Sequence, residues 1–150
     1  MKATPAAIAV LRQATQLKPK RKKSSDGILP SAAHLKQNPD SDHNTGLAVD
    51  LTHDPVTGID AGLVYKHLKS DKRVKYLIFK GRIWSPIKGD HQYDGSNPHN
   101  NHIHISIKDN CGNDTSPWFP WLDKTVYKTA DAARAAALRF KPLPKKKEKK

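Results

Sequence analysis

Two short segments of the chain alternate strictly between aliphatic and polar residues, and this pattern constrains the fold more than any other feature. The first segment spans residues 46–52 and the second spans residues 102–107. The aliphatic positions are Leu47, Val49 and Leu51 in the first, and Ile103, Ile105 and Ile107 in the second. A repeat of two residues is that of a β-strand whose two faces meet different surroundings. The sequence therefore predicts a sheet with one face in the core and one face that carries polar side chains.

The rest of the chain supplies the helices and a hairpin for this sheet. Thr4 and Pro5 are typical of a helix start and predict a helix over 4–17, after which residues 18–42 are expected to form a long loop. Apolar spacing predicts a central helix over 59–70, and an alanine-rich helix over 129–140. Lys80-Gly81 predicts a two-residue turn between strands 74–79 and 82–85, followed by a loop over 86–101. We expect one small α+β domain over 1–140, with a central, mostly antiparallel sheet that is covered by helices on one face and open on the other.

The net charge of +13 is concentrated in two parts of the chain. Basic residues cluster over 18–23, and residues 141–150 carry six lysines against Glu148. Runs of like charge are usually solvated and disordered, so 141–150 is predicted to be a disordered basic tail. The basic termini are expected to bind anionic wall polymers or nucleic acid non-specifically.

The N-terminal region indicates where the chain is made. Its apolar stretch, Ala6 to Leu11, is too short for the hydrophobic region of a secretory signal or for a membrane span. The sequence therefore predicts synthesis in a cytoplasm, without a signal peptide and without a membrane span. An extracellular site of action would require delivery by another component.

The polar faces of the two strands predict a metal site. If the strands pair, Asp50 lies close to His102 and His104, and His43 stands at the start of the first strand. Cys111 is the single cysteine, so a metal must be held by imidazoles and carboxylates. Two imidazoles and one carboxylate, with a fourth position left for water, are typical of a catalytic zinc ion. From the residues alone, either His102 or His104 can be the third ligand.

Residues 41–50 read Ser-Asp-His-Asn-Thr-Gly-Leu-Ala-Val-Asp. This segment resembles the Ser-x-His-x-x-Gly-x-Ala-x-Asp signature of the D-alanyl-D-alanine metallopeptidases, which share their fold with hedgehog domains. The resemblance covers residues 24–107 and implies one zinc ion bound by His43, Asp50 and His104. It also implies an open zinc cleft on the polar face of the sheet.

Residues 99–104 read His-Asn-Asn-His-Ile-His. This pattern is similar to the His-x-x-His-x-His of the penicillin-insensitive murein endopeptidases. Other branches of the family place an acidic base three residues before the last ligand, where this chain has Asn101. The resemblance therefore implies that His99 and His102 are catalytic, one in proton transfer and the other in stabilising the oxyanion.

Further polar residues are candidates for binding substrate or for shaping turns. Ser41, which opens the signature, and Arg82, whose planar guanidinium can bind a carboxylate through two hydrogen bonds, are the expected substrate contacts. His53 and Asp54 follow the first strand in a His-Asp-Pro sequence, which is typical of a turn. We expect these two residues to cap the turn and not to bind metal.

These observations lead to one expected function and two alternatives. The resemblance implies a zinc peptidase that hydrolyses an amide bond in peptidoglycan stem or cross-link peptides, of the kind that phages use as lysins, acting on the wall after release or from the virion. A metal-dependent nuclease is the first alternative, since the His-Asn-Asn-His run and the positive charge are compatible with phosphate binding. A zinc-containing wall-binding or virion structural module without activity is the second, because Asn101 replaces an acid.

Overall fold

A computed structural model describes residues 2–122 and 127–143 of the chain. These residues form a small α+β domain built on one five-stranded sheet. The helices are α1 (Pro5–Leu17), α2 (Ala32–Gln37), α3 (Ala61–Leu68) and α4 (Ala130–Ala137). The strands are β1 (Ala48–Thr52), β2 (Val74–Phe79), β3 (Arg82–Ser85), β4 (Gly89–Gln92) and β5 (His102–Ile107).

The sheet is antiparallel throughout, in the order β1-β5-β2-β3-β4. The two strands that alternate most strictly, β1 and β5, are direct neighbours, and Asp50 lies opposite His104. Gly27 forms an isolated bridge to Asp50 on the free edge of β1. The predicted pairing of the two polar faces is confirmed.

The apolar face of the sheet forms the core with helices α1 and α3. The aliphatic residues of β1 and β5 are fully buried there, beside Leu77 and Phe79 of β2. Thr4 caps the start of helix α1, since its hydroxyl accepts the amide of Ala7. The helix buries small residues that let it pack close to β1. The predicted covering of one face by helices is confirmed.

The turn between β2 and β3 has the conformation that the sequence predicts. Lys80 and Gly81 both have positive φ, at 44° and 74°, which matches a two-residue turn of a twisted hairpin. The turn also holds the segment that precedes β5, because the Lys80 amide donates to the His99 carbonyl and the Gly81 amide to that of Pro98. The hairpin therefore positions a loop that carries a candidate site residue.

Two elements lie inside segments that were expected to be loops. Helix α2 is held at its start by Ser31, whose hydroxyl accepts the amide of His34. Strand β4 follows a turn over 86–88 and pairs with β3 in a register that places Arg82 opposite Gln92. Residues 144–150 of the predicted tail lie outside the described residues. None of the helices in the described part of the chain is both long enough and apolar enough to span a bilayer.

Candidate metal centre

His43, Asp50 and His104 converge on one point at the polar face of the sheet. Oδ1 of Asp50 lies 3.3 Å from Nε2 of His43 and 3.4 Å from Nδ1 of His104. One donor atom from each residue can be chosen so that all three lie within 4.8 Å of one another. Donors held about 2.0 to 2.1 Å from a tetrahedral zinc ion lie roughly 3.4 Å apart, so two of the three spacings match that geometry.

One of the candidate donor atoms, Oδ1 of Asp50, has no hydrogen-bond partner among the described residues. This oxygen is also buried. A buried oxygen without a hydrogen bond is costly unless a cation or a water satisfies it. The unpaired oxygen faces both imidazoles, so the three residues fit a bound metal ion.

His43 is oriented by the backbone at its other ring nitrogen. Nδ1 lies 2.7 Å from the Ile28 carbonyl oxygen, which can only accept, so Nδ1 carries a proton and Nε2 is left to face Asp50. His43 lies in a 3-10 turn over Asp42–Thr45 that ends at Gly46, whose φ is 70°. A Cβ atom at position 46 would lie 2.2 Å from the Lys2 carbonyl oxygen, so only glycine can occupy the position that follows this turn.

His104 is fixed from two sides on β5. Its Nε2 lies 2.8 Å from Oγ of Ser106, and its ring stacks on that of Tyr76 with centroids 5.2 Å apart. Nδ1 is then the nitrogen that faces Asp50. A hydrogen bond at the second ring nitrogen is the usual way in which proteins orient a metal-binding histidine.

The charges of the three residues depend strongly on one another. Burial alone would raise the pKa of Asp50, but the facing imidazoles of His104 and His43 outweigh it and hold that pKa well below its usual range. Burial opposes protonation of His43, yet Asp50 and the Ile28 carbonyl raise its pKa above the ordinary value. Burial dominates at His104 and lowers its pKa, despite the attraction of Asp50. The cluster thus holds an ionised carboxylate beside imidazoles, which is the donor set that zinc requires.

His102 and His99 lie beside the three candidate ligands. Nε2 of His102 is 3.6 Å from Oδ2 of Asp50, the oxygen that does not face His43 and His104. The ring of His99 lies 4.9 Å from that of His102 and 5.8 Å from that of His104, measured between centroids. The structure therefore brings together all the histidines that the two motifs single out.

His99 is held in an unusual conformation by Asn97. Its φ is 61°, and Asn97 accepts its backbone amide through Oδ1 and its Nδ1 proton through the main-chain carbonyl. Nε2 of His99 is therefore the unprotonated, accepting nitrogen. Burial, together with charge on His104 and His102, lowers the pKa of His99 to about 4. The imidazole is consequently neutral at neutral pH.

The candidate centre opens into a cavity of about 620 Å³. The cavity is bordered by residues 37–41 on one side and by Tyr93, Asn97 and His99 on another. Ser41 lines it and also caps the turn of His43 by accepting the His43 amide. Another cavity, of about 330 Å³, lies beside Thr57 and Tyr127 and borders none of the clustered histidines.

His34 is a cleft residue that the sequence did not indicate. It lies on α2, its Nε2 is 3.3 Å from Oγ of Ser41, and its ring meets that of His43 edge-on at 5.8 Å. The segment around it has no periodicity that would predict a helix or a site. A lone histidine in such a segment gives no sequence signal.

Arg82, which the sequence analysis expects to contact substrate, does not line the cavity of the candidate centre, because the sheet register turns it to the other face. It pairs with Phe79, whose side chain is in the core, and so projects to the helix-covered face. There its guanidinium binds both oxygens of Asp90, at 2.5 and 3.1 Å, and lies near the ring of Phe140. Arg82 therefore ties β3 to β4 and to the C-terminal segment.

The turn residues after β1 behave as the sequence predicts. Nδ1 of His53 accepts the amide of Ala61 at the start of α3, and Asp54 accepts the amides of Thr57 and Lys22. Thr52 is also used structurally, since its hydroxyl donates to Asp26. None of these side chains lines the cavity at the candidate centre.

Comparison of the chain with family models, with curated proteins and with solved structures finds no match. The assignment of a function therefore depends on the signature residues and on the geometry of the centre.

Proposed function

We propose that the protein is a zinc-dependent peptidase that hydrolyses an amide bond in peptidoglycan stem or cross-link peptides. The observation that carries the proposal is the convergence of His43, Asp50 and His104 around Oδ1 of Asp50, which makes no hydrogen bond within the described part of the chain. This cluster borders a cavity that is lined by three further histidines, His34, His99 and His102. Three protein donors beside an open cavity are the arrangement of catalytic zinc sites, whereas structural sites close the coordination with a fourth protein donor.

The three ligands would hold the ion with their orientation already fixed. His43 would bind through Nε2 and His104 through Nδ1, because the other nitrogen of each ring is engaged by the Ile28 carbonyl and by Ser106. Asp50 would supply Oδ1. A zinc ion held there would supply Lewis acidity, which activates water and polarises an amide carbonyl.

We assign different tasks to His99 and His102. His99 presents an accepting Nε2 that is fixed by the hydrogen bond of Nδ1 to Asn97, so it can orient a water molecule or an amide group. Its low pKa makes it a weak proton acceptor, and an efficient base needs a pKa near the working pH. His102, beside Oδ2 of Asp50, is then the candidate for moving a proton from the water to the leaving amine. Asn101 is exposed immediately before β5 and has no part in this assignment.

The substrate class follows from the signature in residues 41–50, and the lining of the cavity is consistent with a peptide. The cavity offers hydroxyls, amides and imidazoles, and its volume of about 620 Å³ suits a short peptide segment. We place the protein among lysins of the phage type, acting on the wall after release or from the virion.

The test is the metal-dependent release of amino groups from purified peptidoglycan. Protein loaded with one equivalent of zinc should release new amino termini, and removal of the metal by a chelator should stop the reaction until zinc is restored. His102→Ala should lower kcat by about 100-fold or more while zinc stays bound. His91→Ala is a suitable control, because His91 does not line the cavity. Its Nδ1 lies 3.2 Å from the carbonyl oxygen of Gly89 on the same strand.

Asn101 supports a second candidate function, that of a module without catalytic activity. Asn101 occupies the position where related enzymes carry an acid, which is what a zinc-containing wall-binding or virion module without activity would show. Such a module would bind zinc and retain peptidoglycan but release no amino groups.

A nuclease is less consistent with the cleft, since no Lys or Arg is found among the described residues that line it. Supercoiled DNA incubated with the zinc-loaded protein tests that alternative in parallel.

A further inference from the structure

The candidate metal centre borders two cavities. The larger has a volume of about 620 Å³ and the smaller about 220 Å³. His43 and Asp50 line both, and so does His34. The smaller cavity is otherwise bounded by the segment from Gly27 to Ser31. A molecule bound at the metal can therefore extend in two directions.

The described lining of both cavities carries no Lys or Arg. Its carboxylates are Asp50, which is a candidate ligand, and Asp40 at the rim of the larger cavity. A site that recognises the free terminal carboxylate of a peptide usually pairs it with a cationic side chain. Arg82, which could have filled that role, is bound to Asp90 on the opposite face of the sheet. The lining therefore suits uncharged main chain on both sides of the metal.

His34 stands where the two cavities meet. Its backbone is fixed in α2 through the cap at Ser31, and its ring is half-buried against His43. The one side-chain contact made by the ring nitrogens is the 3.3 Å approach of Nε2 to Oγ of Ser41, so within the described chain Nδ1 has no partner. A ring with one free nitrogen, placed between two cavities, is available to hydrogen-bond to a main chain that passes it.

We propose that the substrate chain runs from the larger cavity past the metal into the smaller one, and that His34 binds it at the junction. The site would thus cut an amide inside a peptide that continues on both sides. This inference rests on the proposed function and adds to it the substrate path and a binding residue outside the signature.

The experiment compares two synthetic peptides that contain the same cross-link amide bond of a dimeric muropeptide. One peptide ends one residue beyond that bond on the side of the smaller cavity, and the other continues for three. The zinc-loaded protein should hydrolyse the longer peptide with a kcat/KM about tenfold higher, chiefly through a lower KM. That advantage should fall to less than about threefold in His34→Ala and in Gly27→Leu.

Gly27→Leu is a direct test of the smaller cavity. A Cβ at Gly27 meets no atom within 4 Å and the backbone there does not have positive φ, so the added side chain should narrow the cavity without strain. Gly27→Ala should have an intermediate effect. His91→Ala serves as the matched histidine control, and zinc content must stay near one ion per chain in every variant for the comparison to hold.

A second readout does not depend on turnover. In zinc-loaded His102→Ala, titration with the longer peptide should shift the imidazole NMR signals of His34, and Gly27→Leu should abolish that shift. Equal kcat/KM for the two peptides in the wild-type protein would overturn the proposed substrate path. So would a ratio of kcat/KM between the longer and the shorter peptide that is unchanged in both His34→Ala and Gly27→Leu. If neither peptide is hydrolysed but the His34 signals still shift, the peptidase function fails while the path stands; no hydrolysis and no shift rejects both.

Discussion

Nε2 of His104 lies 2.8 Å from Oγ of Ser106, two residues further along the same strand. Ser106 is fully buried, so this contact fixes which nitrogen of His104 faces Asp50. Ser106→Ala should leave the fold intact but weaken zinc affinity by about 10- to 100-fold, because the imidazole loses its orienting partner. Competition with a chromogenic chelator measures the change.

Ser85→Ala is the matched control for that substitution, since Ser85 caps a turn at the far end of β3. Equal zinc affinity in Ser106→Ala and wild type would mean that Tyr76 and the strand alone orient His104.

The ligand assignment predicts which substitutions remove zinc. His43→Ala, Asp50→Ala and His104→Ala should each reduce the bound metal from about one ion per chain to near zero after dialysis, since two donors rarely retain zinc. His102→Ala removes an imidazole from the same face of the sheet and should keep the metal. Elemental analysis of the four proteins decides the matter, and full zinc in any of the first three variants would contradict the assignment.

Zinc affinity should depend on pH through His43. The pKa of this imidazole in the metal-free protein is raised above 6.5, so zinc must displace a proton already at pH values somewhat above 6.5. Below the raised pKa the apparent affinity should fall by about tenfold per pH unit for this one proton. The pKa of His104 is lowered and adds its own dependence only in more acidic solution. Chelator competition across that range measures the slope, and an affinity that stays constant down to pH 6.5 would contradict the prediction.

Asp90 should stabilise the fold through contacts that lie outside the candidate metal centre. Its carboxylate accepts hydrogen bonds from Tyr65 at 2.9 Å, Lys69 at 2.8 Å and Arg82 at 2.5 Å. Asp90→Asn should lower the free energy of unfolding by about 1 to 3 kcal/mol at neutral pH, because these donors lose a charged acceptor. Urea unfolding measures this loss.

The same substitution should remove part of the pH dependence of stability. Burial favours the neutral form of Asp90, but Arg82, Lys69 and Tyr65 outweigh it and lower its pKa below 3.8. A lowered native pKa contributes stability that is present above the unfolded value and is lost as the pH falls through the native value. The difference between wild type and Asp90→Asn should therefore shrink below about pH 3.8, and a constant difference would contradict it.

Deleting residues 144–150 tests the basic tail. The deletion removes five lysines and Glu148 but keeps Lys141, whose carbonyl accepts a hydrogen bond from Arg82. Retention on purified cell wall should weaken in low salt and converge with wild type in high salt, since screened charges contribute little. Hydrolysis of a soluble peptide should not change. Equal losses of retention and hydrolysis would instead indicate a structural role.

The sequence predicts the sheet well because alternation reports burial directly. The strands β1 and β5, the Lys80-Gly81 hairpin and the helices α1 and α3 all follow from period, capping and turn residues. Strand β4 reads Gly-Asp-His-Gln and has no apolar face, so no pattern marks it. It pairs with β3, and its Asp90 binds Arg82 and Lys69, which are contacts that sequence periodicity does not indicate.

The residues of the candidate site also differ in how far the sequence predicts their position. His43, Asp50, His102 and His104 could be grouped from two strands with matching polar faces. His34 and Arg82 could not be placed, because a helix in an irregular segment and the facing of a short strand are decided by tertiary contacts. Residues of the two strictly alternating strands, β1 and β5, were therefore predictable, and residues whose orientation depends on tertiary contacts were not.

Because β1 is an edge strand, a metal ion bound at the candidate centre would also stabilise the edge of the sheet. Asp50 lies on β1 and His43 on the turn that precedes it, whereas His104 lies on the neighbouring inner strand β5. An ion bound by all three residues would therefore link the edge strand to the interior of the sheet. Backbone amides of β1 and of the preceding segment should exchange with deuterium faster when the ion is withdrawn, while those of β2 and β3 keep their protection. Loss of zinc would then loosen the outer strand before the domain as a whole unfolds.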